Sequence, residues 1–170
     1  MFANYVQSIL NAKMLEVCSA TLPQVVMPRI QNHPEYLTFL KERVARYERN
    51  SRIAYDAFKD LKSVVVNRTN GAFYMSVVFE EGALNHRQSL PIADAAVREA
   101  VDKLVSGPEV RPDKRFVYHL LASTGICVVP LSSFATDLQG FRITLLEVEE
   151  DKTREIYQTI AESIRKYLAS

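Results

Sequence analysis

The chain has no tryptophan, two cysteines and three histidines, and these scarcities exclude several classes of site. The cysteines and histidines show no metal-ligand spacing, so no metal site is expected. Cys18 and Cys127 each lie in an apolar stretch and are expected to be buried free thiols. A glycine-rich phosphate loop, a nucleophile elbow and an HExxH helix are also absent. The common signatures of nucleotide-binding and hydrolytic sites are therefore missing.

No charge of one sign dominates, since 21 basic residues stand against 20 acidic ones and the formal net charge is +1. This balance gives no electrostatic reason to expect nucleic acid or an anionic membrane as a partner. The longest apolar runs, such as 126–131, are too short to span a bilayer. Residues 1–4 lack the basic segment of a signal peptide. We therefore expect a cytoplasmic globular protein that binds neither nucleic acid nor membrane.

The first part of the chain has a helical pattern. Residues 2–18 place apolar side chains on one side of a helix, and a shorter helix capped by Thr21 is expected to follow. Pro28 and the segment 32–34 are expected to interrupt this pattern. In 34–62, apolar residues recur at alternating steps of three and four. This spacing predicts one helix of roughly 40 Å.

The pattern then changes to that of strands. Segments 63–68 and 72–79 are predicted to pair through a tight turn at Asn70-Gly71, because such turns favour positive φ. Further strands are predicted at 126–131 and 141–148, and helices at 92–105, 115–124 and from Asp151 onward. This order predicts an α+β fold, with a small, mostly antiparallel sheet covered by helices on one face. A long linking helix and a short helical segment precede the sheet.

Arg142 is the clearest candidate for a binding residue. Phe141, Ile143 and Leu145 share one face of the predicted strand, and Arg142 lies on the other with Thr144. Its planar fork of donors can hold a carboxylate through two parallel bonds. From the residues alone, the alternative stays open that Arg142 lies at a sheet edge and pairs with a neighbouring acid or reaches solvent.

Other residues with reactive side chains are interpreted as structural. His119 lies within a predicted helix beside Leu120 and is expected to pack there. Tyr74 is expected in the core or on the sheet surface. The acidic run 147–151 fits the first turn of a helix, where the helix dipole favours negative charge.

Several short motifs follow one another in a defined order. They are Gly71-Ala72-Phe73-Tyr74, Leu120-Leu121, Gly125-Ile126-Cys127-Val128-Val129-Pro130, Phe134 and Gly140-Phe141-Arg142-Ile143-Thr144. The ordered series resembles the C-terminal portion of fold-type I, class I/II pyridoxal-phosphate-dependent aminotransferases, which show GAFY, LL, GV..VPG..F and RIS. One departure is Pro130-Leu131, where that family has Pro-Gly.

The resemblance implies a domain organisation. Residues 1–33 would be a helical tail of the large cofactor domain, 34–62 the long interdomain helix, and 63–170 the small C-terminal domain. It would also make the whole protein a transaminase that moves an amino group between an amino acid and a 2-oxo acid, using pyridoxal 5'-phosphate and acting as a homodimer.

The resemblance also implies roles for particular residues. Arg142 would bind the substrate α-carboxylate, and Ser132 and Phe134 would line the active-site mouth. Thr21 lies where some relatives direct a residue towards the cofactor phosphate of the partner subunit. No lysine here matches the Schiff-base lysine of the family, so no catalytic residue is expected in this chain. The 170 residues alone are expected neither to bind the cofactor nor to transaminate.

Two alternatives stay open. One is an aminotransferase-like domain of a transcriptional regulator. The other is a non-catalytic α+β module for ligand binding or dimerisation.

Overall fold

The computed structural model describes residues 2–15 and 20–170, which fall into two contact units, Met1–Arg43 and Val44–Ser170. The helices are α1 (Phe2–Met14), α2 (Thr21–Gln31), α3 (Tyr36–Phe58), α4 (Ala95–Val105), α5 (Pro112–Thr124) and α6 (Glu150–Ala169). The strands are β1 (Val64–Val66), β2 (Tyr74–Phe79), β3 (Val129–Pro130) and β4 (Gly140–Thr144), with a short 3-10 helix at Leu131–Phe134. Within these ranges, no helix combines the length and apolar character that crossing a membrane requires.

The first unit contains helices with no buried residue among those described. The predicted first helix reached Cys18, which lies outside the described residues, whereas α1 ends at Met14. Thr21 is the first residue of α2, but its side chain does not cap the helix, because Ala20 occupies the cap position. The predicted break at Pro28 is wrong. The helix continues past it, and the Asn32 backbone N–H donates to the Pro28 carbonyl at 3.0 Å.

The second unit is built on one antiparallel sheet with strand order β1-β2-β4-β3. One face of the sheet is buried under α5, α6 and the second half of α3. The main buried side chains are Phe58, Met75, Val77, Phe79, Phe116, Leu120, Phe141, Ile143, Tyr157, Ile160, Ile164 and Tyr167. The opposite face carries more exposed side chains, among them Val65, Tyr74 and Val129. The predicted α+β architecture, with helices on one face, is confirmed.

The hairpin of β1 and β2 is antiparallel as predicted, but its tight turn is wrong. Val66 pairs with Val77, so residues 67–76 lie between the paired positions. Neither Asn70 nor Gly71 adopts a positive φ. Contacts with α3 hold the connection instead. The Thr69 hydroxyl lies 2.5 Å from that of Ser51, and the Phe73 ring centroid lies 6.2 Å from that of Tyr47.

The region from α5 to β4 follows the predicted order, with shorter strands. Gly125 ends α5 with φ 75°, as predicted for a helix-terminating glycine. β3 contains Val129–Pro130, and Cys127 is exposed rather than buried, whereas its neighbour Val128 is buried. Gly140 allows β4 to approach β2 closely, since a Cβ there would lie 2.2 Å from the Val77 carbonyl oxygen. α6 begins at Glu150, and Glu149 occupies the cap position predicted for Asp151.

Candidate functional site

Arg142 lies in the middle of the sheet on its more exposed face. β4 is an inner strand, and Arg142 is in register with Ser76 of β2 and Val129 of β3. Its neighbours Phe141 and Ile143 point to the opposite face, where they are 0% and 4% exposed. Because side chains alternate along a strand, burial of these two residues directs Arg142 away from the core. Arg142 therefore does not lie at a sheet edge.

The guanidinium of Arg142 contacts two aromatic rings. Its Cζ lies 4.2 Å from the ring centroid of Tyr74 and 4.0 Å from that of Phe134. Among residues 2–15 and 20–170, no carboxylate lies within 4.0 Å of it, and its side chain donates no hydrogen bond. The N–H donors are therefore available to an anion, and the guanidinium could bind a carboxylate in two-point fashion.

Ser132 belongs to the same turn as Phe134, but its polar groups are bound to Asp113. The backbone N–H of Ser132 donates to Asp113 Oδ2 and its hydroxyl donates to Asp113 Oδ1, both at 2.8 Å. Asp113 is fully buried in the first turn of α5, and its Oδ1 also accepts from the Lys114 backbone N–H at 2.8 Å. Ser132 thus fixes the turn to α5, whereas Phe134 extends from the turn to Arg142.

The chain after this turn is also tied to the start of α5. The Asp113 backbone N–H donates to Gln139 Oε1 at 3.2 Å, and Arg111 Nη2 donates to the Asp137 carbonyl at 3.1 Å. Ala135 directly follows the turn and has φ 53°, a conformation that costs a non-glycine residue free energy. These bonds therefore hold a segment that is not in its most relaxed backbone conformation.

A cleft of about 550 Å³ borders Arg142. Thr144, the segment 125–129 and α6 side chains around Tyr157 line it, and none of its lining residues in the described chain is a lysine. The Tyr157 hydroxyl donates to the Thr144 carbonyl at 3.0 Å. Burial, with a smaller contribution from Glu147, raises the pKa of Tyr157 to about 12. This phenol is therefore neutral at ordinary pH and supports the end of β4.

The segment after β4 is attached to α3 through Asn50. This buried side chain donates from Nδ2 to the carbonyl oxygens of Leu145 at 3.0 Å and Glu147 at 2.7 Å. Next to it, Arg49 Nε lies 3.4 Å from Glu150 Oε2. The long helix and the segment that follows the strand of Arg142 are thus joined by two hydrogen bonds, one buried and one half-buried.

His119 is a buried residue of the second unit. His119 is 4% exposed, and its Nδ1 accepts from the Leu90 backbone N–H at 3.4 Å. Burial, followed by the charge of Arg115, lowers the pKa of His119, which agrees with its interpretation as a packing residue. Thr21 belongs to the first unit. No group of three or more potential metal ligands occurs in the described parts of the chain.

The sequence interpretation missed the contacts of Tyr74 and Asp113. Tyr74 is 37% exposed on the sheet surface, one of the two placements expected, but its stacking with Arg142 depends on the register of β2 against β4. Asp113 follows Pro112 at a helix start, where an acidic residue is ordinary. Neither residue carries a local signal that separates it from its neighbours.

Comparison with known proteins gives a consistent set of relatives. The family model described as "Aminotransferase class I and II" matches residues 3–160. An uncharacterized aminotransferase of Methanocaldococcus jannaschii is 49% identical over 167 residues, which cover 98% of this chain and 38% of the relative. The chain thus spans about two fifths of the curated relative that it matches.

Two solved structures show a similar fold. The aspartate aminotransferase from Rhizobium meliloti superposes with a TM-score of 0.57 at 24% identity, covering 79% of this chain and 28% of that one. An aminotransferase from Escherichia coli gives a TM-score of 0.50 at 17% identity, with 72% and 24% covered. At these identities the likeness concerns the fold.

Proposed function

Because the chain belongs to the class I and II aminotransferase family, we propose that it supplies the substrate-carboxylate anchor of an enzyme that transfers amino groups between amino acids and 2-oxo acids. One observation carries this proposal. Arg142 presents a guanidinium without an acidic partner in the described chain, on the more exposed face of the sheet. Residues 63–170 would form the small domain, 34–62 the linking helix and 1–33 a tail of the large domain.

The chemistry of the guanidinium supports this role. An amino acid must be held so that its α-carbon faces the reacting group, and two parallel bonds to its carboxylate fix both position and orientation. Arginine keeps its charge at any physiological pH, so the anchor does not depend on a protonation step. With no carboxylate of the described residues to displace, Arg142 can bind the substrate without first breaking an ion pair.

We further propose that the intact enzyme uses pyridoxal 5'-phosphate, which acts as an electron sink at the amino-acid α-carbon. The residues beside Arg142 do not fit a complete cofactor site, because no lysine lines the cleft in the described part of the chain. Residues other than those that line this cleft would therefore hold the cofactor. On this view, the 170 residues contribute substrate binding and do not transaminate by themselves.

A homodimer and a cytoplasmic location stay predictions that the family resemblance supports. Thr21, Ser132 and Phe134 also stay predictions as site residues. The matched relatives are aminotransferases by name, so the alternatives of a regulator domain and of a non-catalytic module gain no support.

The test is Arg142→Ala and Arg142→Lys in the full-length enzyme. Loss of two charge-assisted bonds should raise KM for the amino acid about 100-fold. Lysine keeps the charge but loses the planar fork, so its effect should be intermediate. Steady-state kinetics with both the amino acid and the 2-oxo acid measure the change.

Arg68→Ala is the matched control, because the Arg68 Cζ also lies over a ring, 5.1 Å from the Tyr55 centroid. It should leave KM within about twofold. A rise of less than tenfold for Arg142→Ala would contradict the proposal.

A further inference from the structure

We infer that Tyr74 and Phe134 form an aromatic clamp that positions the guanidinium of Arg142 for the substrate carboxylate. This inference rests on the proposed function of Arg142. It assigns the two rings as positioning residues, which act through the arginine. The observation behind it is the pair of short distances, 4.2 Å and 4.0 Å, from Arg142 Cζ to the two ring centroids.

Aromatic faces suit this task for a chemical reason. The π-face attracts a cation but offers no strong hydrogen-bond acceptor, so stacking on the rings does not use the N–H donors. A planar guanidinium held against ring faces also loses rotational freedom before the substrate arrives. The ordering cost is then largely met in advance, which strengthens binding.

The Tyr74 half of the clamp is fixed by the sheet. Tyr74 is in register with Thr144 of β4, two residues beyond Arg142. Its ring centroid lies 4.4 Å from that of Phe73, which in turn lies 6.2 Å from Tyr47 on α3. A row of rings therefore extends from the long helix to Arg142.

The Phe134 half is fixed by the buried carboxylate of Asp113. Phe134 is itself 43% exposed. The two bonds from Ser132 to Asp113 place the turn that ends at Phe134 against α5. The clamp therefore combines side chains from β2, β4 and the 3-10 helix, three elements that meet only in the folded chain.

The test uses Tyr74→Leu and Phe134→Leu in the full-length enzyme, each alone and combined with Arg142→Ala. Each leucine variant should raise KM for the amino acid about fivefold, because it removes one cation–π contact. The value of kcat should change less than about twofold, since the carboxylate is bound equally before and during the reaction. Tyr74→Phe keeps the ring face and should restore KM to within about twofold of the parent enzyme.

The combined variants separate positioning from general structural damage. With Arg142→Ala already present, loss of either ring should cause no further rise in KM. The same fivefold rise in both backgrounds, or no rise in either, overturns the clamp. Tyr55→Leu, which removes the ring beneath Arg68, is the control and should leave KM unchanged.

Two further outcomes are distinguishable. A large effect of Arg142→Ala with no effect of the ring variants overturns the clamp and leaves the proposed function standing. An Arg142→Ala effect below tenfold overturns both. If Tyr74→Leu does not fold, Phe134→Leu still tests the clamp. Phe134 lies on an exposed turn, so the melting temperature of this variant should match that of the parent enzyme.

Discussion

Similar apolar patterns in the two units differ in how far their side chains are buried. In the unit Met1–Arg43, Phe2 is 79% exposed and Ile9 is 51% exposed, and neither α1 nor α2 buries a described residue. In the unit Val44–Ser170, Phe58 and Phe116 are completely buried. The difference shows that an apolar stripe specifies which side of a helix can be buried, but not what covers it.

Helix α3 shows the same contrast within one element. Leu37 and Val44 are 68% and 63% exposed, whereas Ala54 and Phe58, further along the same stripe, are fully buried. The spacing of the stripe is the same in both halves. The sheet and α6 pack on the second half, so the packing partner rather than the period decides burial there.

The largest expected effect is on the core of the second unit. Phe116→Ala removes a buried ring whose centroid lies 5.1–5.4 Å from those of Phe79, Phe141 and Tyr167. The free energy of unfolding of the 170-residue chain should fall by about 3–5 kcal/mol. Urea unfolding measures this free energy. The control is Phe39→Ala, at a half-exposed ring of the first unit, which should lower the free energy of unfolding by less than about 1 kcal/mol. Equal losses would contradict the contrast between the units.

The next effect concerns the attachment of α3 to the segment after β4. Asn50→Ala leaves the buried carbonyl of Leu145 and the half-buried carbonyl of Glu147 without their donor, which should cost about 2–3 kcal/mol of unfolding free energy. Asn11→Ala is the matched control, since its side chain accepts an exposed bond from Gln7 on α1. That variant should change stability by less than about 0.5 kcal/mol. A similar small loss for Asn50→Ala would show that its bonds do not stabilise the second unit.

A smaller effect depends on alkaline pH. Burial raises the pKa of both Tyr157 and Tyr167 to about 12, above the ordinary value of 10.0. The folded state therefore holds these protons more tightly, and stability present below pH 10 is lost as the pH rises towards 12. Tyr157→Phe loses one hydrogen bond, so its free energy of unfolding at pH 7 should be about 1 kcal/mol lower than that of the parent protein. As the pH rises through this window, its free energy of unfolding should fall less steeply than that of the parent. Parallel stability curves for the two proteins would contradict the assignment.

The smallest effect is expected on α1. Ile9→Ser replaces a half-exposed side chain and should change the unfolding free energy of the 170-residue chain by less than about 0.5 kcal/mol. Ile53→Ser, at a position 8% exposed on α3, is the contrasting variant and should cost several times more. A loss above about 2 kcal/mol for Ile9→Ser would mean that α1 buries this residue after all.

Local patterns predicted the elements well where one face or one residue decides the outcome. The alternation of Phe141, Arg142 and Ile143 predicted which side of β4 is buried, and Gly125 predicted the end of α5. The tight turn at Asn70-Gly71 failed because contacts of Thr69 and Phe73 with α3 outweigh the local preference. Propensity describes neighbours in sequence, and these contacts join residues 18 or more positions apart.

The sequence predicted only part of the candidate site, because local patterns identify single residues and not their distant contacts. A charged residue in an apolar strand identified Arg142, but its proposed role came from the family resemblance. The two rings lie 68 and 8 residues before it in the sequence, and the strand register that brings Tyr74 alongside cannot be deduced from either strand alone. The buried support from Asp113 likewise depends on how α5 meets the turn.

The strict alternation in β4 has a consequence for changes in chain length. Inserting or deleting one residue between Gly140 and Arg142 would exchange the two faces of the strand and direct a permanent cation into the aromatic core. Natural variants of this domain should therefore keep the spacing from Gly140 to Thr144.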